Sequence, residues 1–306
     1  MDRRTFLHRS SAAAGAVAIG TSVLHTSAPA QSPTAPRFPI AVFTKVFQTH
    51  SFEQLATAVE QMEVDGIEAT IRKGGHIEPE KAAEQVPQMA AALKSKNKSL
   101  LIAATDIASA GDSEIKLLKT LKQSGTNVFR LSHLKYSGSS SRLQQVRELR
   151  SKLQELSHAA KELGMIGVYQ NHAGENYVGN VIWDLAEMFE GIDPQVLGIA
   201  LDLRHMRIEI SGSFRSAIEA VRPHIRTVYL KDSQRTGPTP GDVKDVPLGE
   251  GLVNKDLFQF VSKNLAPIPL ALHVEYFGQK PIEPEKIGPV IAACKRDAAV
   301  LRSWIK

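Results

Sequence analysis

Short apolar runs alternate with longer amphipathic stretches along almost the whole chain after residue 38. The apolar runs have the length and composition of buried strands, and the stretches between them repeat with a helical period. Eight such runs are each followed by a helical stretch, which is the sequence form of a (β/α)8 barrel. The predicted strands are 40–43, 66–71, 100–104, 127–131, 165–169, 197–201, 227–230 and 269–274, and the predicted helices are 52–62, 81–94, 113–123, 142–162, 181–190, 214–221, 255–265 and 284–304.

A doubly wound open sheet is the alternative fold with the same alternation. Its dinucleotide-binding form needs a Gly-rich phosphate loop after an early strand, and Gly74-Gly75 is only a turn signal. We therefore predict an α/β fold, a single-domain (β/α)8 TIM barrel over residues 38–306. The longest irregular segment, 233–254, follows the seventh predicted strand, and a long loop at that end of a barrel is usually functional.

Residues 1–30 have the features of a twin-arginine signal peptide. Arg3-Arg4 precede an apolar stretch over 12–24, and Ala28-Pro29-Ala30 provides small residues for cleavage after Ala30. That stretch is shorter than the roughly 20 residues of a membrane span, so we expect no stable membrane span after cleavage. Residues 31–37 form a polar linker. The expected partner is the twin-arginine export machinery, and the expected location is the periplasm or the extracellular space.

Charge and cysteine content narrow the class of protein. The formal net charge is +5, and removing the three arginines and one aspartate of residues 1–30 leaves the remainder near +3. No basic stripe with interleaved aromatic residues is present, so we expect no nucleic-acid partner. The single cysteine, Cys294, excludes an intrachain disulfide. The sequence also has no Gly-x-Ser-x-Gly or His-Glu-x-x-His motif, which argues against a serine hydrolase and a zinc protease.

Four apolar runs in the second half of the chain each end in a cluster of polar residues. Because successive parallel strands place their carboxyl ends at one mouth of a barrel, these clusters are predicted to converge where barrel enzymes build their active sites. The clusters are Val168-Tyr169-Gln170-Asn171-His172, Leu201-Asp202-Leu203-Arg204-His205, Val228-Tyr229-Leu230-Lys231-Asp232 and Leu272-His273-Val274-Glu275-Tyr276.

Asp202 and Glu275 are the strongest chemical signal within these clusters. Two carboxylates that face each other at a barrel mouth either bind a hard divalent cation or serve as acid and base. His205 lies three residues after Asp202, where its imidazole faces a bound substrate, and His273 shares a strand face with Glu275. A structural interpretation stays open, in which Asp202 caps a loop and Glu275 pairs with a nearby Lys or Arg.

These residues resemble those of the xylose isomerase-like TIM barrels, which include sugar isomerases, epimerases and related dehydratases. The resemblance covers the whole predicted barrel and depends on the order and position of several short motifs. They are Asp65-Gly66-Ile67-Glu68 at the second strand, Asn171-His172 with Gly174 at the fifth, Asp202 with His205 at the sixth, Lys231-Asp232 at the seventh, residues 247–251 (Pro-Leu-Gly-Glu-Gly) in the next loop, and Glu275 at the eighth.

The resemblance implies a divalent cation, Mn²⁺ or Mg²⁺, held by Glu, Asp, His and Glu from the fifth to eighth strands. Asp202 and Glu275 match that pattern, whereas Gln170 stands in place of the first Glu and Tyr229 in place of the His. Gln170 still offers a neutral carbonyl oxygen, but a protonated phenol is a poor ligand. We therefore expect a weakened metal site formed by Gln170, Asp202 and Glu275.

The implied activity is that of an exported sugar isomerase or epimerase, which moves a proton next to a carbonyl with metal assistance. Glu275, His205 and Lys231 are the expected catalytic residues. The expected substrate-binding residues are Glu68, Asn171, His172, Arg204, Asp232 and His273; Asp232 would orient Lys231, and Arg204 would clamp an acidic sugar.

Because Gln170 removes one of the family's two proton-transfer carboxylates, two alternatives stay open. One is a sugar dehydratase or lyase, for which a single base with Lys231 as the electrophile suffices. The other is a barrel that binds a sugar or a partner without turnover.

Overall fold

Eight parallel strands close into a barrel in the computed structural model, which describes residues 37–305. The barrel strands are Ile40–Phe43 (β1), Gly66–Thr70 (β2), Ser99–Ala104 (β3), Val128–Arg130 (β4), Ile166–Gln170 (β5), Leu197–Asp202 (β6), Ile225–Leu230 (β7) and Leu270–Leu272 (β10). Two further strands, Asp232–Arg235 (β8) and Val243–Val246 (β9), form a separate sheet. The helices are Phe52–Gln61 (α1), Ala82–Ser95 (α2), Asp112–Gln123 (α3), Arg142–Glu162 (α4), Trp183–Met188 (α5), Leu203–Glu209 (α6), Phe214–Val221 (α7), Lys255–Ser262 (α8) and Gly288–Ile305 (α9).

Strand order around the barrel follows the chain, from β1 through β7 and then β10, which pairs with β1. Every pair in the barrel is parallel, so the carboxyl ends of all eight strands lie at one mouth. The prediction of a (β/α)8 TIM barrel is therefore confirmed. The predicted signal peptide at residues 1–30 and the predicted linker at 31–37, apart from its last residue, lie outside the described residues.

Two apolar clusters explain why strands of nearly continuous apolar sequence are stable here. The larger one lies between the strands and the surrounding helices. The smaller one fills the barrel interior, mixing small side chains with one large aromatic ring, as a tapering barrel requires. Its buried members are Ala41, Ile102, Val128, Val168, Ala200, Tyr229 and Ala271.

The segment after β7 differs from the prediction of an irregular loop over 233–254. It contains an antiparallel hairpin of β8 and β9, in which Asp232 pairs with Val246 and Arg235 with Val243. The two strands are mostly polar and half exposed, so they have no apolar run that a sequence pattern detects.

Two further differences lie at the barrel mouth. Helix α6 follows β6 without a loop, because the carboxylate of Asp202 accepts the backbone N–H of His205 at 3.0 Å and so caps the first turn. Strand β10 ends at Leu272, so His273 and Glu275 lie in the turn after the strand rather than on one strand face. In that turn the N–H of Glu275 donates to the carbonyl of His273.

Within residues 37–305, none of the helices has both the length and the apolar composition needed to cross a lipid bilayer.

Candidate active site

A polar cavity of about 200 Å³ opens at the carboxyl ends of the barrel strands. Charged and imidazole side chains converge there from six strand ends, which marks it as the candidate active site. The lining residues are Phe43, Lys45, Arg72, Arg130, His133, Gln170, His172, Lys231, His273, Glu275 and Gln279. A second cavity, of about 290 Å³, lies against α2 and α3, and its lining contains no histidine and no arginine.

Lys231 joins the two carboxylates that the sequence singles out. Its ammonium nitrogen lies 3.3 Å from Oδ2 of Asp202 and 3.3 Å from Oε2 of Glu275. The residue is buried, with 6% of its surface exposed, so the two carboxylates offset the cost of removing its charge from water. The structure thus brings Asp202, Lys231 and Glu275 together, with the cation between the two anions.

Glu275 stays ionised in this arrangement. Burial acts to raise the pKa of its carboxyl group, but the positive charge of Lys231 and the hydrogen bond from His273 outweigh burial and hold the pKa far below its usual range. Gln279 also donates an amide hydrogen to Glu275, at 3.1 Å. At neutral pH the carboxylate is therefore an ion-pair partner of Lys231 and only a weak base.

A second buried network lies deeper in the barrel and is centred on Glu68, which is fully buried on β2. Its oxygens accept the Tyr229 hydroxyl at 2.8 Å and the Nε2–H of His273 at 2.9 Å, and the guanidinium of Arg130 lies 3.4 Å away. Burial acts to raise the pKa of Glu68, but the charges of Arg130 and His273 lower it overall. Glu68 is thus an internal counter-ion beneath the cavity floor.

His273 connects the two networks. Its Nδ1 lies 3.6 Å from Oε1 of Glu275, and its ring stacks on Phe43 at 4.4 Å between centroids. Burial is the largest single influence and acts to lower the pKa of this imidazole, but the negative charge of Glu68 and the hydrogen bonds to Glu275 and Glu68 together outweigh burial and raise the pKa. The two carboxylates therefore favour the charged form of His273, which acts as a bridge between Glu68 and Glu275.

Gln170 links Arg130 to Asp202 through both ends of its amide. Its Oε1 accepts from Arg130 at 2.6 Å, and its Nε2 donates to Oδ2 of Asp202 at 2.7 Å. Since an arginine can only donate and a carboxylate can only accept, these partners fix the orientation of the amide. The carbonyl oxygen of Gln170 is therefore already used.

The donor set does not fit a divalent cation. The ammonium of Lys231 lies between Asp202 and Glu275, and the oxygen of Gln170 is bonded to Arg130. Tyr229, at the fourth expected ligand position, is buried, and burial together with the charge of Glu68 raises the pKa of its phenol well above 10. No group of three or more His, Cys, Asp or Glu side chains in residues 37–305 is arranged to hold a metal ion. The expected set of Gln170, Asp202 and Glu275 is thus brought together, but around a lysine.

Three histidines near the cavity, of which His133 and His172 line it, have their pKa values lowered, in each case mainly by burial: His133 to about 2, His205 well below 6.5, and His172 to a lesser degree. The rings of His172 and His205 are 3.9 Å apart between centroids. Nδ1 of His172 lies 2.8 Å from the carbonyl of Ala173 and must carry the proton, because a carbonyl only accepts. Nε2 of His172 is then a free proton acceptor on a residue that lines the cavity.

Two residues expected to bind substrate, Asn171 and Arg204, and one expected to be catalytic, His205, are instead used inside the protein. Asn171 is buried and forms two hydrogen bonds with the backbone of Asp202, which join the ends of β5 and β6. Arg204 pairs with Asp245 on β9 at 2.6 Å and so connects α6 to the hairpin. His205 lies behind His172 rather than in the cavity lining.

Asp232 also points away from the cavity. Its two oxygens accept backbone N–H groups of Ser233, Gly249, Gly251 and Val253 at 2.7–3.0 Å. Gly249 has φ +90°, a conformation that side chains disfavour, and a Cβ at Gly251 would meet Oδ1 of Asp232 at 2.6 Å. Asp232 therefore holds the Pro-Leu-Gly-Glu-Gly loop in place and does not orient Lys231.

Sequence reasoning missed four cationic or imidazole residues of the cavity. They are Lys45, Arg72, Arg130 and His133. Lys45 and Arg72 each follow a strand end by two residues, and Arg130 is the last residue of β4. The strand-end rule that selected the second-half residues would have found them had it been applied to the first half of the chain.

A sequence profile of the xylose isomerase-like TIM barrel family matches residues 56–303. The chain has no significant match among curated proteins.

Solved structures share its fold at low sequence identity. The IolI protein with a binding zinc atom is 15% identical, with a TM-score of 0.69, over 87% of this chain and 99% of that one. The 3-keto-D-glucoside 4-epimerase YcjR from E. coli is 15% identical, with a TM-score of 0.62, over 87% of this chain and all of that one. The probable 3-DHS dehydratase AsbF from Bacillus anthracis is 17% identical, with a TM-score of 0.62, over 86% and 98% of the two chains.

Proposed function

The chain belongs to the xylose isomerase-like TIM barrel family, and we propose that it is a sugar-active enzyme of the isomerase or epimerase type. The observation that carries this proposal is the contact of the Lys231 ammonium with both oxygens of Glu275, at 3.4 and 3.3 Å, in the cavity wall. A fixed cation stabilises an oxyanion, and a carboxylate beside it exchanges a proton. A sugar substrate is further supported by the epimerase among the structures with this fold.

Lys231 is the proposed electrophile. When a proton leaves the carbon next to a carbonyl, negative charge develops on the carbonyl oxygen, and an ammonium group held in position stabilises that charge. Asp202 keeps the ammonium in place from below at 3.3 Å. Because the substrate oxygen then shares Lys231 with Glu275, the influence that depresses the pKa of Glu275 weakens, and this carboxylate becomes a stronger base.

His172 is the proposed second proton-transfer group. Burial, the largest effect on its pKa, keeps the imidazole neutral near pH 7, and the hydrogen bond at Nδ1 leaves Nε2 as the acceptor. An epimerase needs one group to remove a proton and another to return it on the opposite face. His172 and Glu275 both line the cavity and supply these two groups, with His205 packed behind His172.

The proposed reaction uses Lys231 where the family resemblance implies Mn²⁺ or Mg²⁺. Asp202 and Glu275 would be the ligands of such a cation, but both already contact the ammonium of Lys231. We therefore expect elemental analysis of the purified protein to find no stoichiometric Mn, Mg or Zn, and a chelator to leave activity unchanged. One bound metal per chain, with activity lost on chelation, would contradict this part of the proposal.

A dehydratase is the second candidate function. Elimination of water next to a carbonyl needs one base and one acid, and the pair of Glu275 and Lys231 provides both at one point of the wall. The fold is shared with a probable 3-DHS dehydratase, which makes this reaction class a reasonable outcome.

Export is proposed from the sequence of residues 1–30. We propose that the twin-arginine machinery carries the folded protein out of the cytoplasm and that cleavage follows Ala30. The test is amino-terminal sequencing of protein from the exported fraction, beside the variant Arg3→Lys with Arg4→Lys. A mature start at Gln31, lost from that fraction in the variant, is expected; unchanged export of the variant contradicts the proposal.

Turnover of a sugar panel tests the activity. The full chain is incubated with aldoses, ketoses and keto sugars, and products are identified by NMR beside the variants Lys231→Met and Lys280→Met. Lys280 is an exposed lysine after β10 and serves as the control. We expect isomerised or epimerised product that Lys231→Met abolishes and Lys280→Met preserves. A dehydrated product supports the second candidate, and sugar binding without any product supports a barrel that has lost its chemistry.

A further inference from the structure

The cavity contains more positive charge than its carboxylates neutralise. Four basic side chains line it, Lys45, Arg72, Arg130 and Lys231, whereas Glu275 is the one carboxylate in the lining. The buried carboxylates beneath the lining, Glu68 and Asp202, already have cationic partners. Arg130 has Glu68 at 3.4 Å, and Lys231 has Asp202 and Glu275 at 3.3 Å.

Lys45 and Arg72 are the two cations left without an ion-pair partner in the described part of the chain. The ammonium of Lys45 donates to the neutral amide oxygen of Gln279 at 2.8 Å. The guanidinium of Arg72 is partly buried, and it interacts with Asp106 and Glu68 only through longer-range attraction. Partly buried cations are costly when unpaired, so these two side chains favour a bound anion.

The effects of neighbouring positive charges on the pKa values of Lys45 and Arg72 also favour a bound anion. Burial lowers the pKa of Lys45, and the positive charge of Arg72 is the second largest cause. Burial likewise lowers the pKa of Arg72, followed by the charge of Arg130. The cations therefore act on one another across a shared space, and an anion placed in that space relieves the repulsion.

We propose that Lys45 and Arg72 form a subsite for the anionic group of the substrate, which is a sugar carrying a carboxylate or a phosphate. The guanidinium binds two oxygens of such a group in parallel, and the ammonium adds a point charge. The two residues follow β1 and β2, adjacent strands of the barrel, whereas Lys231 follows β7. The anionic end of the sugar is thus bound on the β1–β2 side, and the carbonyl end faces Lys231 and Glu275.

The size of the cavity limits the ligand to one sugar unit. Its volume of about 200 Å³ lies below the roughly 300–1,000 Å³ of pockets that hold drug-sized ligands. The subsite also replaces Arg204 as the anion clamp expected from the sequence, since Arg204 is paired with Asp245 outside the cavity.

This inference rests on the proposed sugar function, but its test measures binding and needs no turnover. The affinity of the full chain for glucose, glucuronate and glucose 6-phosphate is measured by calorimetry at low salt, beside the variants Arg72→Gln, Lys45→Gln and Lys73→Gln. Lys73 is an exposed neighbour of Arg72, so Lys73→Gln removes one positive charge from the same loop and serves as the control. We expect one of the two anions to bind at least about ten-fold more tightly than glucose.

The variants identify the residues responsible. Arg72→Gln and Lys45→Gln are each expected to remove most of the preference for the anion over glucose, and Lys73→Gln is expected to preserve the preference. A preference for glucuronate indicates a carboxylate subsite, and a preference for glucose 6-phosphate indicates a phosphate subsite.

Two results overturn the inference: equal binding of neutral and anionic sugars by the natural chain, or an anion preference that survives both Arg72→Gln and Lys45→Gln. Turnover of neutral sugars alone, unaffected by Arg72→Gln, would support the proposed function while overturning this subsite. Anion binding that depends on Arg72, without turnover of any sugar, would support this subsite while overturning the proposed function.

Discussion

A lysine and a divalent cation are not equivalent partners for two carboxylates. A metal supplies two charges and open coordination positions, whereas an ammonium group supplies one charge and three protons to donate. Lys231 lies 3.3 Å from both Asp202 and Glu275, and the residues at the family's other two ligand positions, Gln170 and Tyr229, donate hydrogen bonds to carboxylates. At the scale of single residues, each departure from the family pattern is therefore matched by a hydrogen bond that uses the new side chain.

Glu68 offers a direct test of the deeper network. The variant Glu68→Gln keeps the shape of the side chain but leaves the charges of Arg130 and His273 without their buried counter-ion. We expect the free energy of unfolding to fall by about 3–5 kcal/mol, as when one partner of a buried ion pair is removed. The measurement is urea denaturation followed by circular dichroism.

The control for this prediction is Glu80→Gln, an exposed glutamate at the turn before α2. A solvated carboxylate contributes little to stability, so the free energy of unfolding is expected to change by no more than about 0.5 kcal/mol. Equal effects of the two substitutions would show that the buried charge of Glu68 does not stabilise the fold.

At the scale of elements, Asp232 determines the path of the segment between the hairpin and α8. Its carboxylate accepts four backbone N–H groups, three of them from residues 249–253. In Asp232→Asn one oxygen is replaced by an amide donor, which leaves N–H groups such as that of Gly251 unpaired. Each unpaired N–H group costs about 1–3 kcal/mol, so we expect faster hydrogen exchange of the backbone N–H groups at residues 249–253.

Glu250→Gln is the matched control, since Glu250 lies in the same loop with an exposed side chain. Its exchange rates should equal those of the natural chain. Unchanged exchange in Asp232→Asn would mean that other contacts hold the loop.

The elements also show how much the sequence predicts. All eight barrel strands were found, because strands buried on both faces have continuous apolar runs that stand out from amphipathic helices. The hairpin of β8 and β9 was missed, because its polar strands are stabilised by pairing with each other, which no local pattern reveals. Helix α6 is not among the predicted helices, although Asp202 does act as a cap, which is the interpretation that the sequence leaves open beside that of a ligand.

At the scale of the whole molecule, stability depends on pH through His273. Burial acts to lower its folded pKa, but the attraction of Glu68 together with the hydrogen bonds to Glu275 and Glu68 outweighs burial and raises the pKa above its ordinary value. The stability that its charge contributes is fully present below the unfolded pKa and is lost as the pH rises through the folded pKa. We therefore expect the stability advantage of the natural chain over His273→Gln to shrink as the pH rises above about 6.5, the ordinary pKa of histidine.

His158→Gln, an exposed histidine on α4, provides the reference. Both variants are compared with the natural chain by thermal unfolding in matched buffers over the same pH range. An advantage at His273 that grows with rising pH would contradict the assignment of a charged imidazole.

The convergence of the candidate site followed from the fold alone, since parallel strands place Gln170, Asp202, Lys231 and Glu275 at one mouth. The direction of each side chain did not follow. Asn171, Arg204 and Asp232 also lie at or just after strand ends. Their side chains bond to backbone groups or to the hairpin instead of facing the cavity, because buried donors and acceptors require partners. Sequence position thus predicts which residues are near the mouth, and hydrogen bonding decides which of them face the cavity.

Deuterium exchange tests the central claim most directly, which is that Lys231 and Glu275 labilise a proton next to a sugar carbonyl. The full chain is incubated with keto sugars, neutral and anionic, in D₂O, and NMR follows deuterium at the carbon beside the carbonyl. The natural chain and Lys280→Met are expected to incorporate deuterium, and Lys231→Met and Glu275→Gln are expected to be slower by about 10²–10⁴-fold. Exchange at the natural rate in Lys231→Met, or no exchange by the natural chain with a sugar that it binds, would contradict the account.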